Sequence, residues 1–299
     1  MEYARAVAAG AFTIDLADGR RLEGWEAGEP GAPGLLFHFG TPSAGIPFAP
    51  LVDETLARGL RFVTYSRPGY AGSTRLPGRS VADCASDVVA LLDSRGLDRV
   101  HVIGWSGGVP HTLACAALLP ERVASAATLA GVAPWGADGL AWFEGMAEEN
   151  LDEFGAAVDG PDALRRFLEP IAADRVDVTA DTMAEGLGGL LTDVDRAALT
   201  GPFAEFLAEV MRAAVSSGPW GWIDDDLAFA RDWGFDLAGI VVPVTVWHGR
   251  HDAMVPTTHG EWLAAHVPGA RRRILEDEGH LSLVLRFGTV LDELLAAGV

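Results

Sequence analysis

An apolar, β-branched run, Val100-His101-Val102-Ile103, breaks off in Gly104-Trp105-Ser106-Gly107-Gly108, and helical spacing resumes at once in Thr112-Leu113-Ala114-Cys115-Ala116-Ala117-Leu118-Leu119. A buried strand must therefore turn into a helix within a few residues, and glycine is the residue that tolerates such close backbone approach. The GxSxG spacing puts Ser106 on that strained turn, at the mouth of the strand and the start of a helix, where unpaired N–H groups can meet developing negative charge. Taken alone, the five residues also fit a plain Gly-Ser turn between buried elements. The rest of the chain decides between the two.

A serine hydroxyl is a weak nucleophile until a base removes its proton, and that base must be oriented. Pro243-Val244-Thr245-Val246-Trp247 reads as a short buried strand running into His248-Gly249-Arg250-His251-Asp252, so Asp252 lies just past a strand end. A further strand, Arg272-Arg273-Ile274-Leu275, leads into Glu276-Asp277-Glu278-Gly279-His280, with a helix beginning near Leu281. In a parallel sheet the carboxyl ends of strands converge on one crevice, so Ser106, Asp252 and His280 can meet there although far apart in sequence. Asp138, some residues after the strand-like 124–130 segment, is the alternative acid.

Two more motifs complete the pattern: His38-Phe39-Gly40-Thr41-Pro42 and Tyr65-Ser66-Arg67-Pro68-Gly69-Tyr70-Ala71-Gly72-Ser73. With GWSGG and the late Asp and His, the chain resembles an α/β-hydrolase of the type with an inserted cap, over nearly its whole length. The first motif resembles that family's oxyanion loop and the second its DRPGxGxS turn. Two residues depart: Phe39 replaces a frequent histidine, and Ser66 replaces an aspartate whose local hydrogen bonding is then in question. The resemblance implies that Ser106 attacks, His280 acts as general base and then acid, and Asp252 fixes the imidazole tautomer. It also implies an oxyanion hole of two backbone amides, Gly107 and Thr41, with Gly40 as the alternative to Thr41.

The elements alternate in the manner of a mostly parallel sheet covered by helices on both faces. Residues 12–16 and 21–26 read as a hairpin turning on Asp18-Gly19; strands at 35–39, 61–65 and 100–105 alternate with helices at 48–58 and 81–95. The implied fold is an eight-stranded α/β-hydrolase sheet. Between about Trp135 and Phe235 no buried strand is legible, until Ile240-Val241-Val242-Pro243 restores the sheet. The expected division is a core of residues 1–134 and 239–299 with a helical cap at 135–238.

Cap aromatics predominantly pack helices together, but a roof over a hydrolase site also presents large apolar side chains to its substrate. Trp105, Trp135, Trp142 and Trp220 are the candidate substrate contacts. The acidic run from Glu144 to Phe154 reads as a solvated helix face. The sharper alternative is a carboxylate that recognises a cationic amine, as in related capped enzymes that remove an N-terminal proline.

Of the remaining histidines, His101 falls in a strand, His111 on the helix after Ser106, and His259 and His266 on a helix surface; His248 and His251 flank the acid loop in structural roles. The His-Gly-Arg-His-Asp cluster lacks a second ligand group at zinc spacing, so no metal is expected. All 22 basic residues are arginine, which excludes Schiff-base chemistry and a serine-lysine dyad. The net charge of −20 argues against nucleic acid and anionic membranes as partners. Cys84 and Cys115, in separate helices, are expected to be free thiols. No apolar run is long enough to span a bilayer and Met1–Arg5 lacks a signal-peptide layout, so a cytoplasmic location is the default expectation.

These features point to a cofactor-independent serine hydrolase that cleaves a small to medium, mostly apolar ester, lactone or thioester through an acyl-enzyme. Peroxide attack on the same acyl-enzyme would be a side reaction. Serine at position 106 disfavours the haloalkane and epoxide branches, which use aspartate there. An iminopeptidase-like aminopeptidase and a non-catalytic small-ligand binder on the same fold are the alternatives.

Overall fold

The computed structural model describes residues 9–298, so the Met1–Arg5 stretch lies outside the described residues. These form an eight-stranded sheet in the order β1-β2-β4-β3-β5-β6-β7-β8. The hairpin β1 (Gly10–Asp15) and β2 (Arg21–Ala27) pairs antiparallel, and β2 joins β4 (Arg61–Tyr65) antiparallel. From β4 onward every pairing is parallel, through β3 (Gly34–His38), β5 (Val100–Trp105), β6 (Val123–Leu129), β7 (Val244–Gly249) and β8 (Arg271–Leu275). The carboxyl ends of β3, β5, β6, β7 and β8 thus open on one edge.

Side-chain alternation along each strand divides the core into two faces. Leu36, Val63 and Val102 pack against α2 (Cys84–Arg95) and α3 (Gly108–Leu118). Leu35, Phe37, Phe62 and Ile103 point the other way, toward α1 (Ala49–Ala57) and α11 (Phe287–Ala297). Each such side chain, removed from water completely, contributes about 1.5–3 kcal/mol. The central strands are buried almost throughout because both faces are covered. The edge strand β8 instead carries Arg271, Arg272 and Arg273, with the first two exposed.

Between β6 and β7 the chain makes six helices, α4 (Glu148–Asp159), α5 (Pro161–Arg175), α6 (Ala180–Leu187), α7 (Asp193–Ala198), α8 (Gly201–Val215) and α9 (Trp220–Phe229), and no strand. The return to the sheet comes later than the apolar residues 240–243 suggest: β7 starts at Val244, and Val241 is 77% exposed. Pro243 has no N–H for a ladder and only lends its carbonyl to Ala126 N.

The two departures from the family's motifs are absorbed locally. Phe39 is buried in an aromatic cluster with Phe37 and Phe206. Ser66 Oγ accepts the Gly45 N–H at 3.0 Å, and the Ser66 carbonyl accepts the Ser73 hydroxyl at 2.7 Å, so the turn keeps its hydrogen bonds without an aspartate. Cys84 and Cys115 are free and buried.

Candidate active site

Ser106 follows β5 directly and has φ +54°, in the left-handed region that L side chains avoid. The conformation is held by its N–H on the Leu129 carbonyl at 2.8 Å and its carbonyl on Val109 N at 2.9 Å. The turn is so tight that a Cβ at position 104 would lie 2.3 Å from Thr112 Oγ1 and 2.4 Å from the Gly108 carbonyl, which makes glycine obligatory there. The left-handed residue at the strand end is the local strain that the GxSxG spacing predicts.

His280 and Asp252 arrive from the loops after β8 and β7. His280 Nδ1 lies 2.8 Å from Asp252 Oδ2, and both side chains are buried. The other carboxylate oxygen of Asp252 accepts the backbone N–H groups of Met254 and Val255 at 2.9 and 2.8 Å. His248, in β7, stands 3.3 Å from Asp252 Oδ2 and bonds the Val255 carbonyl at 2.7 Å. Burial alone would raise the Asp252 carboxyl, but His280 and His248 more than reverse this and hold it at about 2. Burial likewise opposes charge on His280, yet the Asp252 charge and hydrogen bond, with a smaller contribution from Asp195, raise its imidazole above the ordinary value. Asp138 is exposed, and its carbonyl is bonded to Trp262 Nε1, so it is not the residue beside His280.

Ser106, Trp105 and His280 share the wall of a cavity of about 340 Å³ with Gly40, Thr41 and Gly107. A Cβ at Gly107 would sit 3.0 Å from Thr41 N, so the two loop backbones are in close approach beside the serine. Among the described residues neither the Thr41 nor the Gly107 N–H meets a protein acceptor. The loop is fixed from behind by Arg67, whose guanidinium donates to the carbonyls of Phe39 at 2.5 Å and Gly40 at 2.7 Å. Arg67 in turn is paired with Asp225 of α9 at 2.6 Å, and Asp225 also takes Arg79 at 2.6 Å, the Tyr70 hydroxyl at 3.0 Å and Thr41 Oγ1 at 2.7 Å. Burial opposes charge on Asp225; the two arginines override it and keep the carboxyl far below the usual range.

Of the tryptophans expected at the substrate, Trp105 lines the cavity and donates Nε1 to the His280 carbonyl at 3.1 Å. Trp135, Trp142 and Trp220 do not line it. Trp142 donates to the Ala133 carbonyl and packs edge-on against Trp135, Phe143 and His259, anchoring the start of the inserted helices. Trp220 lies under the Arg75 guanidinium, 4.5 Å from its ring centroid. The cavity tryptophan of α9 is Trp222, whose Nε1 donates to Glu153 at 2.7 Å. His259 is also not a surface residue: it is fully buried, its Nδ1 accepts the Ala133 N–H at 3.1 Å, its Nε2 donates to the Trp142 carbonyl at 2.8 Å, and burial pulls its imidazole down to about 4.

Three features had little sequence signal. Glu153 of α4 and Asp226 of α9 face the same cavity, and both carboxyls are raised, first by burial and, for Asp226, then by Glu153. Asp195 of α7 is fully buried against the His280 loop. The hub at Asp225 was half visible, since Arg67 belongs to a recognised turn whereas its partner lies 158 residues on. Among the described residues no group of three or more His, Cys, Asp or Glu is arranged to hold a metal ion, and no helix is long and apolar enough to cross a membrane.

The alpha/beta hydrolase fold family matches residues 30–287. The chain is 27% identical over 261 residues to the 2-hydroxy-6-oxononadienedioate/2-hydroxy-6-oxononatrienedioate hydrolase 2 of Pseudomonas putida, covering 85% of this chain and 83% of that protein. It is 30% identical over 237 residues to the pimeloyl-[acyl-carrier protein] methyl ester esterase of Aromatoleum aromaticum, covering 75% and 82%. Among solved structures, an alpha/beta hydrolase fold protein from Nakamurella multipartita has TM-score 0.66 at 27% identity, over 97% of this chain and 100% of that one. An esterase from Exiguobacterium antarcticum, at 19% identity over 96% of this chain and 100% of its own, shares the fold with TM-score 0.71. With a serine on the strand-to-helix turn and a family match over most of its length, this chain belongs to the alpha/beta hydrolase fold family and is a hydrolase.

Proposed function

We propose that Ser106, His280 and Asp252 act as a catalytic triad on a small to medium, mostly apolar carboxylic ester, lactone or thioester. The observation that carries the reading is the buried His280–Asp252 pair, 2.8 Å apart, whose His280 lines the same cavity as Ser106. Ser106 Oγ attacks the acyl carbon as His280 Nε2 takes its proton, and the oxyanion is received by the Thr41 and Gly107 N–H groups. Collapse expels the leaving group, which takes the proton back from His280. Water, deprotonated by His280 in the same way, then releases the acid and regenerates the serine. Asp252 keeps the imidazole proton on Nδ1 and steadies the imidazolium.

The segment 135–238 is, in this reading, a cap that supplies the cavity's acyl-facing wall: Phe167, Ile171, Met183, Leu207 and Met211 favour an apolar acyl chain. Four carboxylates, Glu149, Asp152, Glu153 and Asp226, line it against a single guanidinium, Arg175, which is engaged with the Gly186 carbonyl. That balance weighs against a substrate with a free carboxylate tail of the kind named for the Pseudomonas putida relative. A fluorophosphonate probe tests the nucleophile: labelling of the wild type, lost in Ser106→Ala, is the expected result. An unlabelled wild type overturns it in favour of a ligand-binding role.

A second reading, an aminopeptidase for substrates with a free α-amine, is favoured by the Glu153–Asp226 pair. Turnover of prolyl amides that Glu153→Gln abolishes would support it; ester turnover without amide turnover removes it.

A further inference from the structure

We propose that Asp195, on the cap segment, is a positioning residue for the catalytic base: its carboxylate builds the loop that carries His280 and so ties placement of the imidazole to docking of the cap. The inference rests on the triad reading above.

Asp195 is wholly buried. Its Oδ2 accepts the His280 N–H at 2.9 Å, and its Oδ1 accepts those of Leu281 at 2.8 Å and Ser282 at 2.9 Å. Three successive backbone donors therefore converge on one carboxylate, at the start of a 3-10 turn, Ser282–Arg286, where donors have no partner within the turn itself. A Cβ at position 279 would lie 2.5 Å from both Asp195 oxygens, so glycine there is what lets the carboxylate reach. The loop's other restraints come from the core: Trp105 Nε1 on the His280 carbonyl at 3.1 Å, Ser282 Oγ on Gly279 N at 2.8 Å, and the Glu278 carbonyl on His251 N at 2.9 Å.

The placement of Asp195 follows from its own helix start. Thr192 caps α7 through Asp195 N at 3.4 Å, and in such a box the third residue's carboxylate ordinarily folds back onto the cap residue's N–H. Here Oδ2 takes the Thr192 hydroxyl at 3.4 Å, and the shorter bonds of the carboxylate go across to the His280 loop. It also adds a negative charge behind an imidazole that becomes cationic during the reaction. The other charged or titratable groups around His280 are Asp252 from the β7 loop, with His248 behind it, and Glu149, Asp152, Glu153, Asp226 and Arg175, which line the same cavity. Glu278, on the same loop, is engaged by Arg286 at 2.5 Å.

The test compares Asp195→Asn, which keeps volume and loses charge, with Asp195→Ala. The readouts are an NMR titration of the ring-labelled His280 imidazole, the pH profile of kcat/KM on an acyl ester, and the rate of fluorophosphonate labelling. We expect D195N to move the His280 titration and the acid limb of the profile to lower pH together, and D195A to lose on the order of 10²-fold in kcat with KM little changed, as for a misplaced catalytic group. If D195A does not fold, the D195N titration alone decides. A lowered melting temperature with His280 titration and kcat unchanged would overturn the proposal by making Asp195 a stability residue only. The titration needs no turnover: a shifted His280 in a chain whose Ser106 does not react sinks the catalytic reading while the Asp195–His280 linkage stands. A reactive Ser106 with an unmoved His280 does the reverse.

Discussion

His280 Nδ1 and Asp252 Oδ2 are 2.8 Å apart, while Asp252 Oδ1 is engaged by two backbone N–H groups of its own loop. The carboxylate is thus divided: one oxygen folds the turn, the other faces the imidazole. Asp252→Asn can keep the first task with its amide oxygen but presents an NH₂ to Nδ1, forcing the wrong tautomer. The expected result is an unchanged far-UV spectrum with kcat/KM down about 10⁴-fold. An active D252N enzyme would contradict the assignment of the acid.

The pH dependence follows from the same pair. Neutral His280 is the form that accepts the serine proton, and its pKa lies above the ordinary 6.5, so kcat/KM should fall as pH drops through a midpoint above that value. The stability linkage has the opposite sign. A raised histidine pKa contributes stability that is full below the unfolded value and is lost as pH rises through the folded one. Activity on a neutral ester and melting temperature, measured over the same pH series, should diverge in that window; a rate profile flat down to about pH 5 contradicts the base assignment.

Gly107→Ala tests the oxyanion site. The new Cβ would lie 2.3 Å from Thr41 Oγ1 and 3.0 Å from Thr41 N, wedging apart the two amides proposed to share the oxyanion. A loss of about 10²–10³-fold in kcat is expected, the size of removing one donor. Thr41→Gly in the same chain removes the nearer clash and should recover part of the rate; no recovery would locate the defect elsewhere.

Asp225→Ala would leave the buried Arg67 without its carboxylate and the buried Arg79 with only Asp224, at 3.3 Å. Breaking one side of a buried pair costs about 3–5 kcal/mol, so denaturant melts should show a loss of that size. Because Arg67 also holds the Phe39 and Gly40 carbonyls, activity should fall more steeply than the folded fraction. Parallel loss of the two would show that Arg67 does not depend on Asp225 to hold the loop.

What could be read from the chain followed how local each signal was. The strands β4 and β5 run over the residues their apolar runs predict, Arg61–Tyr65 and Val100–Trp105, because apolar β-branched runs bounded by breakers are short-range features. Ser106, Asp252 and His280 could be singled out for a similar reason: each follows a strand end, by one, three and five residues. The side chains of the inserted helices could not. Trp135, Trp142 and Trp220 have the same composition signal as Trp222, and only helix docking decides which of them faces the cavity. His259 looked exposed because its helix, α10 (Thr257–His266), is polar around it, yet it bridges two backbone segments more than a hundred residues away. Asp195 was not singled out at all, because its partners lie 85 to 87 residues on and leave no trace near it.

The Asp225 hub sets where this molecule is able to give way. Asp225 sits on the last helix of the insertion, yet its partners Arg67 and Arg79 belong to the stretch between β4 and α2. Withdrawing α9 would leave a carboxylate and two guanidinium groups bare in apolar surroundings, so that helix travels with the sheet as part of its foundation. The insertion is therefore not fastened as one slab: α9 is tied to the core through Asp225 and α7 through Asp195, each by a buried carboxylate.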